Sequence, residues 1–323
     1  MDTNLNKPQI IPLVSIVIPI FKPKQEYLIA LVNSINQQTY ENIEIIVSDD
    51  EISTENIVYF KKLEKFNFKY VVNLSGENGI FGNLNNAIKN SNGAYTQIFC
   101  QDDIMLPDFI QEQINAFGSD PSIGMVFSKF NPIDGKGNIA PSHRKGFTKL
   151  KADRITPDRA INYFFVFGCI PGNLSPVMLR KEVFEKVGYF NQEYPYGGDF
   201  EFWVRVGLHY GIIYNKKVIL NIRFHPENAS STLGLVAHQK DIKRIFMFLE
   251  EKNTVRCSTF KKKIYIHQTL LRKYLGAYIR GIHQDLSIFD FFDKKPYTLF
   301  WAIMSSLITC YGYFTINIGE KNL

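Results

Sequence analysis

The feature that most constrains this chain is an alternation of apolar runs in its first 120 residues. Val14 to Ile18, Ile43 to Val47, Tyr70 to Val72 and Ala94 to Phe99 are short runs of strand length. Between or after them lie segments of helical character: Leu28, Leu31, Val32 and Ile35 follow an i, i+3, i+4, i+7 spacing, and Leu84 to Lys89 and Pro107 to Phe117 continue the series. A continuous apolar run reads as a strand covered on both faces, and the helical spacing reads as a helix with one buried face. Strand and helix in alternation predict an α/β fold with a mostly parallel central sheet flanked by helices.

In such a sheet, ligands gather outside the carboxyl ends of the strands, where each apolar run stops. Those stops are polar here. The first strand ends at Pro19 to Lys22, the second at Ser48-Asp49-Asp50-Glu51 and the fourth at Gln101-Asp102-Asp103. Three strand ends therefore converge on one carboxylate-rich rim.

Beyond residue 120 the alternation weakens. Met125 to Phe130, Val177 to Leu179 and Ile219 to Phe224 are expected as short strands, and the Gly/Pro/Lys-rich stretch from Asn131 to Lys151 as a mobile loop. From about Leu235 the pattern turns to basic and apolar helical segments, ending in Pro296 to Gly319, 24 residues without a charge. The expected division is a catalytic domain over residues 1–232 and a helical C-terminal extension over 233–323.

Charge follows the same division. Residues 235 to 295 hold 13 Lys/Arg against 6 Asp/Glu, or +7, whereas the whole chain carries +6, so the remainder sums to −1. The basic residues lie among apolar ones at helical spacing, with no reading module or base-stacking platform, which argues against a nucleic-acid partner. Cys100, Cys169, Cys257 and Cys310 stand far apart, without a C-x-x-C pair, so neither a disulfide framework nor a zinc site is expected. The opening residues, with Pro8, Pro12 and Pro19 along their apolar stretch, do not have the pattern of a secretory signal peptide. A cytoplasmic protein is expected.

Several constellations carry two readings each. Asp102 and Asp103 follow the β-rich run Tyr95 to Cys100 and either present a hard cation at the rim or form a solvated turn before the next helix. Mg²⁺ or Mn²⁺ takes oxygen ligands, commonly one or two carboxylates completed by substrate phosphates. Asp49 and Asp50 are ligand contacts or helix-start acids. Asn78-Gly79-Ile80-Phe81-Gly82-Asn83-Leu84-Asn85 sets two glycines and three amides at a helix N-terminus, a cradle for an anionic or sugar-nucleotide ligand or a plain cap. Asp199, after Gly197-Gly198, is an N-cap or a catalytic base. Arg223 and His225 point the same way by the period of two, to hold a diphosphate or to form a surface pair.

Taken together, the order and spacing of these segments over residues 13 to 230 resemble the family 2 glycosyltransferases, inverting enzymes of the GT-A fold. Val14-Ser15-Ile16-Val17-Ile18-Pro19 is similar to that family's first strand, Ser34 to Tyr40 to its following helix end, and Ile45 to Asp50 to its second strand and acidic tip. Cys100-Gln101-Asp102-Asp103 stands where the family carries its Asp-x-Asp metal motif, Phe184 to Phe190 resembles the turn preceding the acceptor side, and Gly198 to Trp203 resembles the segment that supplies the base.

The resemblance implies a transfer of sugar from a nucleotide-diphosphate donor, most commonly a UDP-sugar, to a saccharide or lipid-linked saccharide, in bacterial surface polysaccharide synthesis such as capsule or O-antigen. It implies Asp199 as the catalytic base and Asp102, with Asp103, as holder of Mn²⁺ or Mg²⁺. It further implies donor contacts from Pro19, Phe21, Asp49, Asp50, Asn78, Gly79, Asn83, Asn85, Gln101, Asp102, Arg223 and His225. Two positions depart from the family pattern: Cys100 replaces the first acid of the metal motif, and Phe21-Lys22 replaces the usual tyrosine-asparagine.

The rival expectation is a non-catalytic sugar-nucleotide-binding or assembly protein of the same fold, which Cys100 favours. A dehydrogenase is disfavoured because no G-x-G-x-x-G follows the first strand, and a nucleotidyltransferase because no glycine- and lysine-rich phosphate loop does. Tyr297 to Phe314 is long enough for a spanning candidate, yet its Ser, Thr, Gly and aromatic content equally suits a packed or interfacial helix. The basic segment before it would favour an anionic leaflet, so peripheral contact with the cytoplasmic face of the inner membrane stands as the alternative to a helix packed on the catalytic domain.

Overall fold

The computed structural model describes residues 11–51, 55–74, 76, 79–140, 150–228 and 235–255, together with 259, 262 and 266. Asn78, Cys257, Cys310 and the 297–314 segment lie outside the described residues. In chain order the elements are β1 (Val14–Ile20), α1 (Gln25–Asn36), β2 (Ile43–Asp49), α2 (Ile57–Phe60), β3 (Asn67–Val72), α3 (Ile80–Lys89), β4 (Tyr95–Ile98), β5 (Ile104–Met105) and α4 (Phe109–Phe117). There follow β6 (Ile123–Ile133), β7 (Arg154–Ile155), α5 (Pro157–Phe167), β8 (Val177–Arg180), α6 (Lys181–Val187), α7 (Gly198–Gly207), β9 (Gly211–Arg223) and α8 (Leu235–Lys252).

The described residues fall into two compact units. The first draws on 1–142, 171–190 and 210–224, the second on 143–170, 191–209 and 225–323.

In the first unit the strand order runs β3-β2-β1-β4-β8-β6-β9-β5. β1 pairs in parallel with both β2 and β4, and β2 in parallel with β3. The strand β8 is antiparallel to both its neighbours, β4 and β6, while β6 and β9 are parallel. All seven residues of β1 are buried, as a continuous apolar run requires when helices cover both faces of a sheet. The α1 stripe of Leu28, Leu31, Val32 and Ile35 is buried against the same core, which also takes in Phe99, Phe109 and Met178.

The Asn131 to Lys151 stretch differs in part from its expectation as a mobile loop. Asn131 to Ile133 complete β6, and the residues after them form a closed turn. Asp134 Oδ1 accepts from the amides of Lys136 and Asn138, both at 2.9 Å, and the amide of Ala140 donates back to Pro132 O. A single short carboxylate thus satisfies donors that a loop would leave to water. Residues 141–149 lie outside the described residues.

In the second unit α5, α7 and α8 share an aromatic core. Phe200 sits 6.0 Å from Phe164 and 6.1 Å from Phe246, centroid to centroid, and Trp203, Phe202 and Phe164 are fully buried. None of the described helices is long and apolar enough to cross a membrane.

Candidate active site

At the carboxyl end of β4 the chain turns through Cys100-Gln101-Asp102-Asp103 before the short β5. Ligand atoms of Cys100, Asp102 and Asp103 all lie within 4.8 Å of one another. Cys100 and Asp102 are half-buried and Asp103 is 1 % exposed. Two residues distant in sequence hold the turn. Ser175 Oγ accepts from the amide of Cys100 at 2.9 Å and donates to Asp103 Oδ2, while Asp103 Oδ1 accepts from the amide of Arg223 at 2.9 Å. Burial, reinforced by the charge of Asp102, pushes the Asp103 carboxyl well above its ordinary range, against the opposing pull of Ser175 and Arg223.

Both oxygens of Asp103 are committed within the protein, whereas Asp102 is half-buried beside the Cys100 thiol. A hard cation prefers carboxylate over thiol, so the carboxylates of this cluster fit Mg²⁺ or Mn²⁺ better than a soft ion.

Arg223, at the end of β9, is 5 % exposed. Its Nε donates to Asp102 O at 2.9 Å and its Nη1 to Asp134 O and Gly135 O at 3.1 and 3.2 Å. The guanidinium fork therefore ties the main chain of the β4 turn to the 134–138 turn. His225 follows one residue after the exposed Phe224; its amide donates to Asn228 Oδ1 at 2.6 Å and its Nε2 lies 3.3 Å from Asn228 Nδ2.

The acidic tip of β2 splits in the same manner. Asp49 is buried, with Oδ1 accepting from the amide of Glu51 and Oδ2 from Asn56 Nδ2 and the Tyr70 hydroxyl. Burial first, then the bond to Asp49, raises the Tyr70 phenol and keeps it a donor. Asp50 is half-buried and accepts from Asn73 Nδ2 at 2.8 Å and from the amide of Gly79 at 2.9 Å. Gly79 is the N-cap of α3 with φ 92°, in the left-handed region that a side chain rarely adopts, which turns its amide toward Asp50.

Gln101, Asn85 and Asn83, the predicted amides among the described residues, bond main chain. Gln101 receives the amide of Phe21 at 2.8 Å and donates to its carbonyl at 3.1 Å, fixing the strand end after Pro19. Asn85 does the same for Phe190, at 3.0 and 2.9 Å. Asn83, 1 % exposed, donates to Ile20 O at 2.9 Å, and its Oδ1 has no partner among the described residues. Phe21 itself is 53 % exposed.

Asp199 lies in the second unit, in the first turn of α7. Its Oδ1 accepts from the amide of Phe200 at 2.6 Å, and the Cys169 thiol stands 3.8 Å from Oδ2. The rim of the first unit thus gathers Asp49, Asp50, Gly79, Gln101, Asp102, Asp103 and Arg223. Ser175 and Tyr70 were not among the sequence candidates, since a lone serine or tyrosine carries no spacing signal.

Comparison with known proteins places the chain. Residues 15–188, more than half of it, match Glycosyl transferase family 2, and the chain belongs to that family. An uncharacterized glycosyltransferase of Rickettsia prowazekii is 29% identical over 325 residues, covering 96% of this chain and 90% of that one. One from Rickettsia felis is 30% identical over 247 residues, 72% of this chain; the match spans 38% of that relative's length, as it does for a Rickettsia conorii relative.

Among solved structures, Staphylococcus aureus TarS 1–349 in complex with UDP-GlcNAc aligns with a TM-score of 0.62 at 16% identity, over 93% of this chain and 91% of that one. The mannosyltransferase PcManGT from Pyrobaculum calidifontis, in complex with GDP-Man and Mn²⁺, gives 0.51 at 13% identity, over 94% and 88%. Such likenesses speak for the fold, which is GT-A.

Proposed function

We propose that this glycosyltransferase inverts configuration, moving a sugar from a UDP-sugar to a hydroxyl of a saccharide or lipid-linked saccharide in surface polysaccharide synthesis. The observation that carries the reading is the Cys100, Asp102 and Asp103 cluster at the end of β4, inside the region matched by the family. TarS bound to UDP-GlcNAc supports the choice of UDP, and the GDP-Man complex of the mannosyltransferase keeps GDP as the nearest alternative.

In this reading Asp102 holds Mg²⁺ or Mn²⁺ and Asp103, fixed by Ser175 and the Arg223 amide, sets the angle of the turn that presents it. A divalent cation held there would supply positive charge to offset that of a diphosphate leaving group. Asp50 serves the nucleoside side, with Asp49 buried behind it to hold the end of β2, and Pro19, Phe21, Asn78, Gly79, Asn83, Asn85 and Gln101 shape the donor side. Arg223 and His225 serve the diphosphate side. Asp199 takes the proton of the acceptor hydroxyl as that oxygen bonds to the anomeric carbon and the bond to the nucleoside diphosphate breaks. Residues 1–232 hold the proposed site residues; within 233–323, α8 packs on α5 and α7, and the basic, apolar stretch after it would supply any peripheral contact with the cytoplasmic face of the membrane.

Calorimetric titration with UDP, dTDP and GDP, each with and without Mn²⁺, tests the donor half. Metal-dependent binding of one nucleotide by the intact protein and its loss in Asp102→Ala is the expected result. Binding of none of them would favour the non-catalytic reading that Cys100 suggests.

A further inference from the structure

Asp241, on α8, is fully buried and lies outside every role assigned above. Its Oδ2 accepts two main-chain donors, the amides of Tyr196 at 2.8 Å and Gly197 at 3.0 Å. Gly197 is the N-cap of α7, and Asp199 is the second residue of that helix. The carboxylate of a helical residue goes where its helix begins, so whatever holds the 196–197 amides sets the place of the Asp199 side chain. A buried acid serving two N-H groups is a costly group to remove, because both donors are then left unpaired.

Other contacts show that α8 braces the whole segment. A Cβ at Gly197 would stand 3.2 Å from both Asp241 Cβ and Ile245 Cδ1, so a methyl there presses on both. Phe246 meets the ring of Phe200, directly after Asp199, at 6.1 Å between centroids. Arg244 lies over the Tyr194 ring at 4.1 Å and bonds Glu193 Oε2 at 3.4 Å. Asp241, Arg244, Ile245 and Phe246 thus hold residues 193 to 200 from both sides of Asp199.

We infer that Asp241 is a positioning residue for Asp199: through the Tyr196 and Gly197 amides it fixes the first turn of α7, making α8 part of the machinery that aims the base. The inference rests on the reading of Asp199 as the base, but its test does not depend on turnover. Full-length protein labelled with ¹³C-aspartate gives one Cγ resonance for Asp199, assigned as the signal that Asp199→Asn removes. Asp158, in the first turn of α5, is assigned in the same way and serves as control.

Asp241→Ala is expected to shift or broaden the Asp199 signal and leave Asp158 in place. Asp241→Asn keeps an oxygen acceptor for the two amides and is expected to restore the signal. An unmoved Asp199 resonance in folded Asp241→Ala overturns the inference. So does a shift shared equally with Asp158, or one that Asp241→Asn fails to reverse. If Asp241→Ala does not fold, the comparison passes to Gly197→Ala, whose methyl presses on Asp241 and Ile245; displacement of the Asp199 signal supports the inference and its absence overturns it. Failure of the base reading is seen separately, as turnover retained by Asp199→Asn.

Discussion

The guanidinium carbon of Arg223 lies 4.4 Å from the ring centroid of Tyr27, and both side chains donate to the same carbonyl, Gly135 O, at 3.2 and 3.3 Å. Helix α1, the 134–138 turn and the end of β9 are joined by this triangle, and Nε of the same arginine reaches Asp102 O. Lysine cannot reproduce a planar fork that bonds carbonyls in two directions while stacking on a ring. Arg223→Lys is therefore expected to lower stability by about 1–3 kcal/mol, from the lost bonds of a buried guanidinium to half-buried carbonyls. Chemical denaturation followed by fluorescence checks this, and an unchanged midpoint would show that the triangle contributes nothing.

Ser175 is the second rivet of the β4 turn. Its hydroxyl joins the Cys100 amide to Asp103 Oδ2, so Ser175→Ala strands one buried donor and one buried acceptor together. A loss of about 1–3 kcal/mol is expected, with weaker Mn²⁺-dependent nucleotide binding by calorimetry. Ser175→Thr, which keeps the hydroxyl, is expected to retain more of both; identical behaviour of the two variants would count against the hydroxyl.

How much of this was legible in the sequence depended on the distance between partners. The β1 run and the α1 stripe were readable because burial repeats locally along Val14 to Ile20 and Leu28 to Ile35. The acidic rim was readable because each polar stop directly follows its strand. Contacts such as Ser175 with Asp103 or Arg223 with Asp102 span 72 and 121 residues, and nothing local marks them. Residue type alone also left open what an amide does: Gln101 and Asn85 bind the main chain of Phe21 and Phe190. The two-residue β5 is too short for any period to show, and the 131–140 stretch is ordered by one aspartate whose role a Gly/Pro/Lys composition conceals.

Glu44 makes stability depend on pH at a point away from the acidic rim. Burial pulls its carboxyl upward, but donors from Ser15, Asn92 and Gly93 outweigh it and the net shift is downward. A carboxylate whose folded pKa is depressed contributes stability above its unfolded pKa, about 4.3 for Glu, and loses it as pH falls through the folded value. Glu44→Gln removes the titration. Thermal unfolding of the native chain and the variant is expected to show a stability gap that is largest near neutral pH and narrows below about pH 4.3. A gap that stays constant through the acid range would contradict the assignment.

Asp199 allows the sharpest separation of binding from chemistry. Its Oδ1 takes the Phe200 amide in the first turn of α7, and asparagine can take the same bond with its own oxygen. Asp199→Asn therefore preserves the helix start while removing the ability to accept a proton, the role proposed for Asp199. Loss of a general base typically costs ~10²- to 10⁴-fold in rate. Calorimetry should return the same affinity for the preferred nucleotide, and release of that nucleotide from its sugar conjugate in the presence of acceptor should fall by this factor. Weakened nucleotide binding would place Asp199 on the donor instead, and undiminished turnover would move the base to another residue.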